Sequence, residues 1–583
     1  MSSEIYINKY DFNKYTTDIL DSNKYWSQRP IVYIINNEEE AYIWETIDAS
    51  VRVNQHRQNT KRRVLTTFNL ITTDEFNKSV ILDLESFLIS HMSADNKYKL
   101  QNWNWWLQNH NYYNKEYYQQ QFKKIRNKLK ELNIVKQDIY KLENSNLFKY
   151  SPYKSLTDEQ LTIVSEIRKQ LIIDINNWVQ STFMVKWWAG TGKTILWIYL
   201  MKLLLEIREN QTELTEEIEN IDETIYENIE DFLNSNEIIN KLKIWLVIPM
   251  DNLRKILQTD VFKNIPWLSP NNVLSPHDVA KSKEKWDILI VDEAHRLRQR
   301  KNLTQYKTFD EDNERLNLWN NGTELDWIFK KSKYQLFLYD KNQTIKPTDI
   351  EREVFENIEN QPHTHIYNLN SQLRCFWWDK YISYIKKIFS NNPPIQKEIF
   401  NQEFWYELKL FDDVNNMIET IKSKNLEYWL CRNLAWYSRK WKTKKIKNKP
   451  RNFEETHNRI KKWNYDINID WYKYIRNTQY SWWINEPNSI NEIWCIHTTQ
   501  WFDLNYTWLI IWNDLRYNYD RWLYVDKNNY FDVKWKNATS EDELMAYIIN
   551  IYITMCTRWM RWTYIYACDK WLREYLSKFI DKA

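Results

Sequence analysis

The chain has 583 residues, 43% hydrophobic and 27% charged, with a formal net charge of +3; this suits a folded protein with more than one core and is too balanced to imply a polyanionic partner by charge alone. No apolar run approaches the roughly 18 residues of a membrane helix, and the start, MSSEIYINKYDF, lacks the basic-then-apolar pattern of an export signal, so a cytoplasmic protein with no membrane partner is expected. The five cysteines (Cys375, Cys431, Cys495, Cys556, Cys568) form no CxxC pair and the nine histidines show no zinc spacing, which argues against a disulfide framework and a zinc module.

Residues 1–115 read as one small α/β unit. Pro30–Ile35 and Ala41–Trp44 are short apolar runs joined by Asn36-Asn37-Glu38, which predicts a β-hairpin carrying Tyr33 and Tyr42. Arg52 and His56 lie one helical turn apart on one face, and Ser79–His91 has helical spacing around Glu85. Asn102 and Asn104 follow in LQNWNWW. Residues 116–154 are expected to be a helical connector, because Asn114–Glu143 carries many Lys and Glu at helical spacing, the pattern of a solvated face.

Beyond Leu156, apolar runs occur at Phe183–Val185, Ile244–Ile248, Ile288–Val291, Leu336–Tyr339, Trp508–Ile511 and Tyr564–Tyr566. Helical stretches separate them, which predicts parallel sheets. A weak break at Glu359–His365 divides the region into domains 155–358 and 359–583. Twelve acidic residues and one Arg between Glu206 and Glu237 mark an exposed helical insertion at 206–240.

Trp187–Thr194 reads WWAGTGKT. With both tryptophans replaced by glycine it is GGAGTGKT, a P-loop between the strand Phe183–Val185 and a helix from Ile195 to Leu205. A loop that cradles phosphate needs residues without Cβ, so that successive N–H groups can reach the anion. The composition points the same way. The chain has 33 Trp and only 3 Gly, where an average protein is roughly 7% Gly. Most of these tryptophans are therefore read as glycines, as arises when a gene that decodes UGA as glycine is translated with UGA as Trp. Trp44, Trp501, Trp559 and Trp562 are repaired by the same substitution, whereas Trp482 or Trp483 is a candidate for a true tryptophan. A tryptophan-rich carbohydrate binder accounts for neither the missing glycine nor these positions. In the repaired loop the nucleotide would be held by Trp187, Trp188, Ala189, Gly190, Thr191, Gly192, Lys193 and Thr194. Lys193 would reach the β- and γ-phosphates and the Thr194 hydroxyl would hold Mg²⁺.

DILIVDEAHRL follows at Asp287–Leu297. Its apolar strand delivers Asp292 and Glu293 to the carboxyl end, where open α/β sheets bind ligands. Asp292 is expected to hold Mg²⁺ through water and Glu293 to orient or deprotonate the attacking water. For His295, coupling to nucleic acid and simple packing both stand. Arg439–Arg451 holds eight basic residues and reads either as a solvated loop or as one wall of a nucleic-acid groove.

Together with five further segments, these motifs resemble superfamily 1 helicases, and in order and spacing the Schlafen group 3-like DNA/RNA helicase domain from Leu156 onward. The resemblance implies two RecA-like parallel-sheet domains. It makes Gln160, in LTDEQ, an adenine contact and Gln343, in LYDKNQ, a γ-phosphate sensor. Arg374, in LNSQLRC, would point at the γ-phosphate, and Arg558, in MCTRWMRWTYIY, would be an arginine finger. IHTTQWFDLNYTWLIIW, from Ile496 to Trp512, would couple to nucleic acid.

The N-terminal pattern resembles a GIY-YIG endonuclease, with Ile31-Val32-Tyr33 as the first triplet and Tyr42-Ile43-Trp44 as the second. Glu85 would then bind one divalent metal, Mg²⁺ or Mn²⁺, that polarises the scissile phosphate. Tyr33, Tyr42 or His56 would help generate the nucleophile, Arg52 would stabilise phosphorane charge, and Asn102 would join the site. The expectation is thus an α/β protein in which a small nuclease domain precedes an ATP- and Mg²⁺-dependent motor acting on DNA or RNA. The alternatives are an ATP-driven translocase or a nucleotide-switched scaffold with a non-cleaving N-terminal nucleic-acid-binding domain.

Overall fold

A computed structural model describes residues 4–22, 29–102, 112–151, 156–187, 195–201, 242–265, 268–303, 305–340, 348–369, 378–398, 407–428, 430–436, 467–469, 472–476, 487–495, 504–520, 522–531, 540–557 and 562–583, with isolated positions between them. The chain divides into two compact units. One comprises Met1–Asn177, Lys193–Leu242 and Ile256–Asn272; the other comprises Trp178–Gly192, Lys243–Lys255 and Val273–Ala583.

The first unit is built on a sheet of β1 (Tyr6–Asp11), β2 (Ile31–Asn36), β3 (Glu40–Thr46), β4 (Thr67–Thr72) and β5 (Lys99–Leu100), in the order β1-β4-β2-β3-β5. The expected hairpin is β2–β3, antiparallel, with Tyr33 opposite Trp44 and Ile35 opposite Tyr42. Side chains alternate across a strand, so β2 and β3 feed two cores. Val32, Ile34, Ala41 and Ile43 pack with α3 (Lys78–Asp95). Ile31, Tyr33, Ile35 and Tyr42 pack on the other face with Ala49 and Val53 of α2 (Ala49–Gln58) and Leu20 of α1 (Thr16–Ser22). Side-chain caps start two of these helices: Asp48 accepts the Val51 N–H and Asn77 the Val80 N–H.

The segment after residue 115 departs from the solvated connector expected of it. It forms α4 (Lys115–Glu131), whose Phe122, Ile125 and Leu129 are fully buried in the same core as Val80, Leu84 and Leu88 of α3. Charged residues dominate its outer face, but the apolar stripe at three- and four-residue spacing decides its place. Arg126 of α4 is itself buried and pairs with Asp95 of α3 at 3.0 Å.

In the second unit, one fully parallel sheet has the order β11-β6-β10-β9-β7-β8, from β6 (Thr182–Trp187), β7 (Ile244–Val247), β8 (Val273–Leu274), β9 (Trp286–Val291), β10 (Ser332–Tyr339) and β11 (Thr364–Leu369). β11 lies beyond the expected break at 358/359, yet pairs with β6 from Thr364 to Leu369; this sheet therefore takes residues assigned to the second domain. The other large sheet has the order β14-β15-β16-β13-β17-β20-β12-β21. Its strands are β12 (Glu407–Leu410), β13 (Cys431–Ala435), β14 (Ile467–Ile469), β15 (Tyr472–Arg476), β16 (Glu492–Trp494), β17 (Tyr506–Ile511), β20 (Trp562–Ala567) and β21 (Asp581–Lys582), while β18 (Leu515–Asn518) and β19 (Trp522–Val525) form a separate antiparallel pair. All neighbours pair in parallel except the β14–β15 hairpin. β17 and β20 are buried at every position, which is why they read as unbroken apolar runs. The α/β class with parallel sheets and a small preceding α/β unit thus holds. No described helix is long and apolar enough to cross a membrane.

The tryptophans fall into distinct environments. Eleven described non-glycine residues have positive φ, and three are Trp: Trp178 at 58°, Trp319 at 52° and Trp522 at 60°. Asn tolerates this region and glycine favours it, whereas a bulky side chain is an outlier there. Trp178 and Trp319 are also 90% and 83% exposed. The buried indole N–H groups of Trp197, Trp508 and Trp522 meet no acceptor. By contrast, Trp327 donates to Asn313 Oδ1 at 2.6 Å and Trp494 to the Ser489 carbonyl at 2.8 Å.

Candidate nucleotide and phosphodiester sites

β9 ends at Val291, and Asp292 and Glu293 follow, each 1% exposed. The Asp292 N–H extends the sheet by bonding the Val247 carbonyl at 3.1 Å, which places the residue at the carboxyl edge. Asp292 Oδ1 accepts the Glu293 N–H at 2.9 Å. Glu293 has φ 55°, ψ 47°, a left-handed conformation that costs a non-glycine residue about 1–2 kcal/mol. Backbone strain of this kind is common at functional sites. His295, fully buried, sits with Nε2 2.9 Å from Glu293 Oε2. Of its two expected roles, the packed one is what the geometry realises.

Sequence reasoning missed the brace behind this turn. Arg296, buried, pairs with buried Asp349 at 3.1 Å. Burial lowers the Arg296 pKa, and Asp349 opposes that shift. Around the pair, the Ile350 N–H bonds the Leu297 carbonyl and the Gln299 N–H bonds the Thr348 carbonyl, both at 2.9 Å. The signal was the arginine of DEAHR: a guanidinium one residue past a buried histidine needs an internal partner.

Of the other motor positions, Gln160 is fully buried as the third residue of the helix Asp158–Asn176. Its side-chain oxygen accepts the Thr157 N–H at 3.0 Å, and its own N–H bonds Thr157 Oγ1, a reciprocal cap. Trp187 ends β6, with its side chain outside the described residues. Trp188, Ala189, Gly190, Thr191, Gly192, Lys193, Thr194, Gln343, Arg374, Arg558, the insertion at 206–240 and the basic tract Arg439–Arg451 also lie outside them. The buried Asp292 carboxylate is a hard oxygen donor of the kind Mg²⁺ takes. No group of three or more metal ligands occurs among the described residues.

The N-terminal residues do come together. Tyr33 and Tyr42 are diagonal neighbours on one face of the hairpin, and His56 of α2 packs against both rings, at 5.8 and 5.0 Å between centroids. The Tyr33 hydroxyl lies 2.6 Å from His56 Nε2. Burial pushes the Tyr33 phenol well up, opposed by Arg62 and Arg52 and reinforced by the charges of Glu85 and Glu45. Burial also holds the His56 pKa well down, helped by Arg62 and Arg52. Glu85 is buried in α3 and Glu45 is paired with Lys78. Arg52 donates to Gln55 Oε1 at 2.9 Å. Asn102 is engaged with the main chain: its Oδ1 accepts the Ile43 N–H at 2.9 Å and its Nδ2 donates to the Ile43 carbonyl. It continues the β3–β5 ladder by one rung and holds the strand that carries Tyr42. Asn104 lies outside the described residues.

Residues 180–569 match the family model described as Schlafen group 3, DNA/RNA helicase domain. An uncharacterized protein of Saccharomyces cerevisiae is 25% identical over 450 residues, 71% of this chain and 88% of its own length. Among solved structures, the DEAD-box helicase Mss116 bound to ssRNA and UDP-BeF is similar over 70% of this chain and 73% of its own, at 12% identity. Its TM-score is 0.27.

Proposed function

Because this chain belongs to the Schlafen group 3 DNA/RNA helicase family, we propose that it is an ATP-driven helicase or translocase on DNA or RNA, joined to a metal-dependent GIY-YIG endonuclease. The observation that carries the motor reading is the buried Asp292–Glu293 turn at the carboxyl end of β9. Asp292 would hold Mg²⁺, which supplies neutralisation of phosphate charge. Glu293, its main chain fixed by Asp292 and its carboxylate beside His295, would orient and deprotonate the attacking water. Lys193, Thr194, Gln343, Arg374 and Arg558 complete the proposed constellation by their motifs. An arginine finger that acts only on closure would link hydrolysis to stepping. ATP turnover by the full chain, with and without single-stranded DNA or RNA, tests this. Several-fold stimulation is expected, and a rate indifferent to both strands would leave a nucleotide-switched scaffold in its place.

For the nuclease, support comes from Tyr33, Tyr42 and His56 meeting on one face of the hairpin, with the Glu85 charge acting on the Tyr33 phenol. Glu85 would hold the metal and Tyr33 would face the nucleophile. Mn²⁺-dependent cleavage should be lost in Glu85→Ala, and unchanged cleavage removes the assignment.

The same reading treats most tryptophans as glycines. Support is the left-handed backbone of Trp178, Trp319 and Trp522, since only glycine takes that conformation without cost. Trp327 and Trp494, with satisfied indole donors, are read as true tryptophans. The intact mass of natively made protein decides it.

A further inference from the structure

His56 has two ring nitrogens and both are occupied. Nε2 is 2.6 Å from the Tyr33 hydroxyl, and Nδ1 is 3.0 Å from Arg62 Nη1. The Arg62 guanidinium also lies over the Tyr42 ring, 3.9 Å from its centroid. A guanidinium only donates, so Nδ1 must be the acceptor. A neutral imidazole carries one proton, which is then on Nε2 and points at the Tyr33 oxygen. Tyr33 is fully buried, Tyr42 1% exposed and His56 4% exposed, so water does not compete for these bonds.

Resting on the nuclease reading of this unit, we propose that Arg62 is a positioning residue: it donates to Nδ1, fixes the His56 proton on Nε2, and so makes His56 a donor to the Tyr33 hydroxyl oxygen. Two consequences follow. His56 does not take the Tyr33 proton, because its Nε2 is already protonated. The Tyr33 O–H hydrogen is therefore not shared with the histidine. The charged groups that face the pair agree with a neutral ring. Arg62 on the turn after α2 and Arg52 on α2 disfavour an imidazolium, while Glu85 of α3 and Glu45 of β3 bear on the Tyr33 phenol.

The test is nitrogen NMR of the full chain labelled at histidine, with His56→Gln used to assign the signal. The wild type should show His56 protonated at Nε2 and bare at Nδ1. Arg62→Lys, which keeps a donor and the charge, should preserve that pattern. Arg62→Met should release it, giving a mixed tautomer. A wild-type ring protonated at Nδ1, or an Arg62→Met ring indistinguishable from wild type, overturns the proposal. Cleavage is read separately. If wild type cleaves, Arg62→Met should lower kcat by about 100-fold, the scale of a 1 Å misplacement, with KM little changed. A loss of cleavage with the tautomer intact reduces Arg62 to a structural residue and overturns the relay. Absence of cleavage with the expected tautomers removes the nuclease and leaves the relay standing.

Discussion

Replacing Arg126 with Met tests whether α4 belongs to the N-terminal core. Arg126 and Asp95 are both fully buried and 3.0 Å apart. Arg126 also donates to the Gln137 carbonyl at 2.6 Å, while Asp95 accepts the N–H groups of Lys136 and Gln137, each at 2.7 Å. One pair thus ties α3, α4 and the turn after it. Removing one partner of such a pair leaves an uncompensated buried charge and costs about 3–5 kcal/mol. For a unit of this size that corresponds to a fall in Tm of about 10 °C. Hydrogen exchange of the full chain reads it locally: amides of α3 and α4 should lose protection together, since one cooperative unit opens as one. Arg126→Met with Asp95→Asn should recover part of the loss, because it removes the uncompensated charge and keeps an acceptor oxygen for the Lys136 and Gln137 N–H groups. Unchanged protection in α3 after Arg126→Met would show α4 to be an independent connector and refute the packing argument.

Glu293→Gln should retain ATP binding but lower steady-state hydrolysis by about 100-fold or more, the usual share of a general base; hydrolysis at the wild-type rate would remove Glu293 from the chemistry. Trp178→Gly and Trp319→Gly should each raise stability, by about 1 kcal/mol, because relief of the left-handed strain exceeds the backbone entropy of glycine, whereas Trp327→Gly should destabilise through the lost Asn313 bond and a cavity. A urea series on the three variants checks both signs. Burial pushes the pKa of Asp514 up to about 7, with Tyr552 as its hydrogen-bond donor at 2.7 Å. In the unfolded chain this carboxyl ionises near about 4, so between pH 4 and 7 the folded state keeps a proton that the unfolded state has lost. Stability contributed by this group therefore falls as pH rises through that window, by up to about 4 kcal/mol, and is flat above it. Asp514→Asn should remove that slope in chemical denaturation measured from pH 5 to 8, and an unaltered slope would assign it elsewhere.

Chain-local patterns carried much of this. The hairpin at Tyr33 and Tyr42, the helix bearing Glu85, the apolar strand ahead of Asp292 and the parallel sheets follow from alternation, helical spacing and unbroken apolar runs, all properties of neighbouring residues. The Trp-for-Gly reading came from the chain too, from its composition and the WWAGTGKT pattern. Arg62 was written in the sequence as the middle of Lys61-Arg62-Arg63, but nothing local said that it, and not Arg52, would reach His56. Packing alone decided that Asn102 would serve the Ile43 main chain, that α4 would enter the core through Arg126 and Asp95, and that β11 would pair with β6. The periodicity of a segment states which of its faces must be hidden. Which distant segment hides it, and which buried charge or ring nitrogen meets which donor, is settled only when faces from far along the chain close over one another and exclude water.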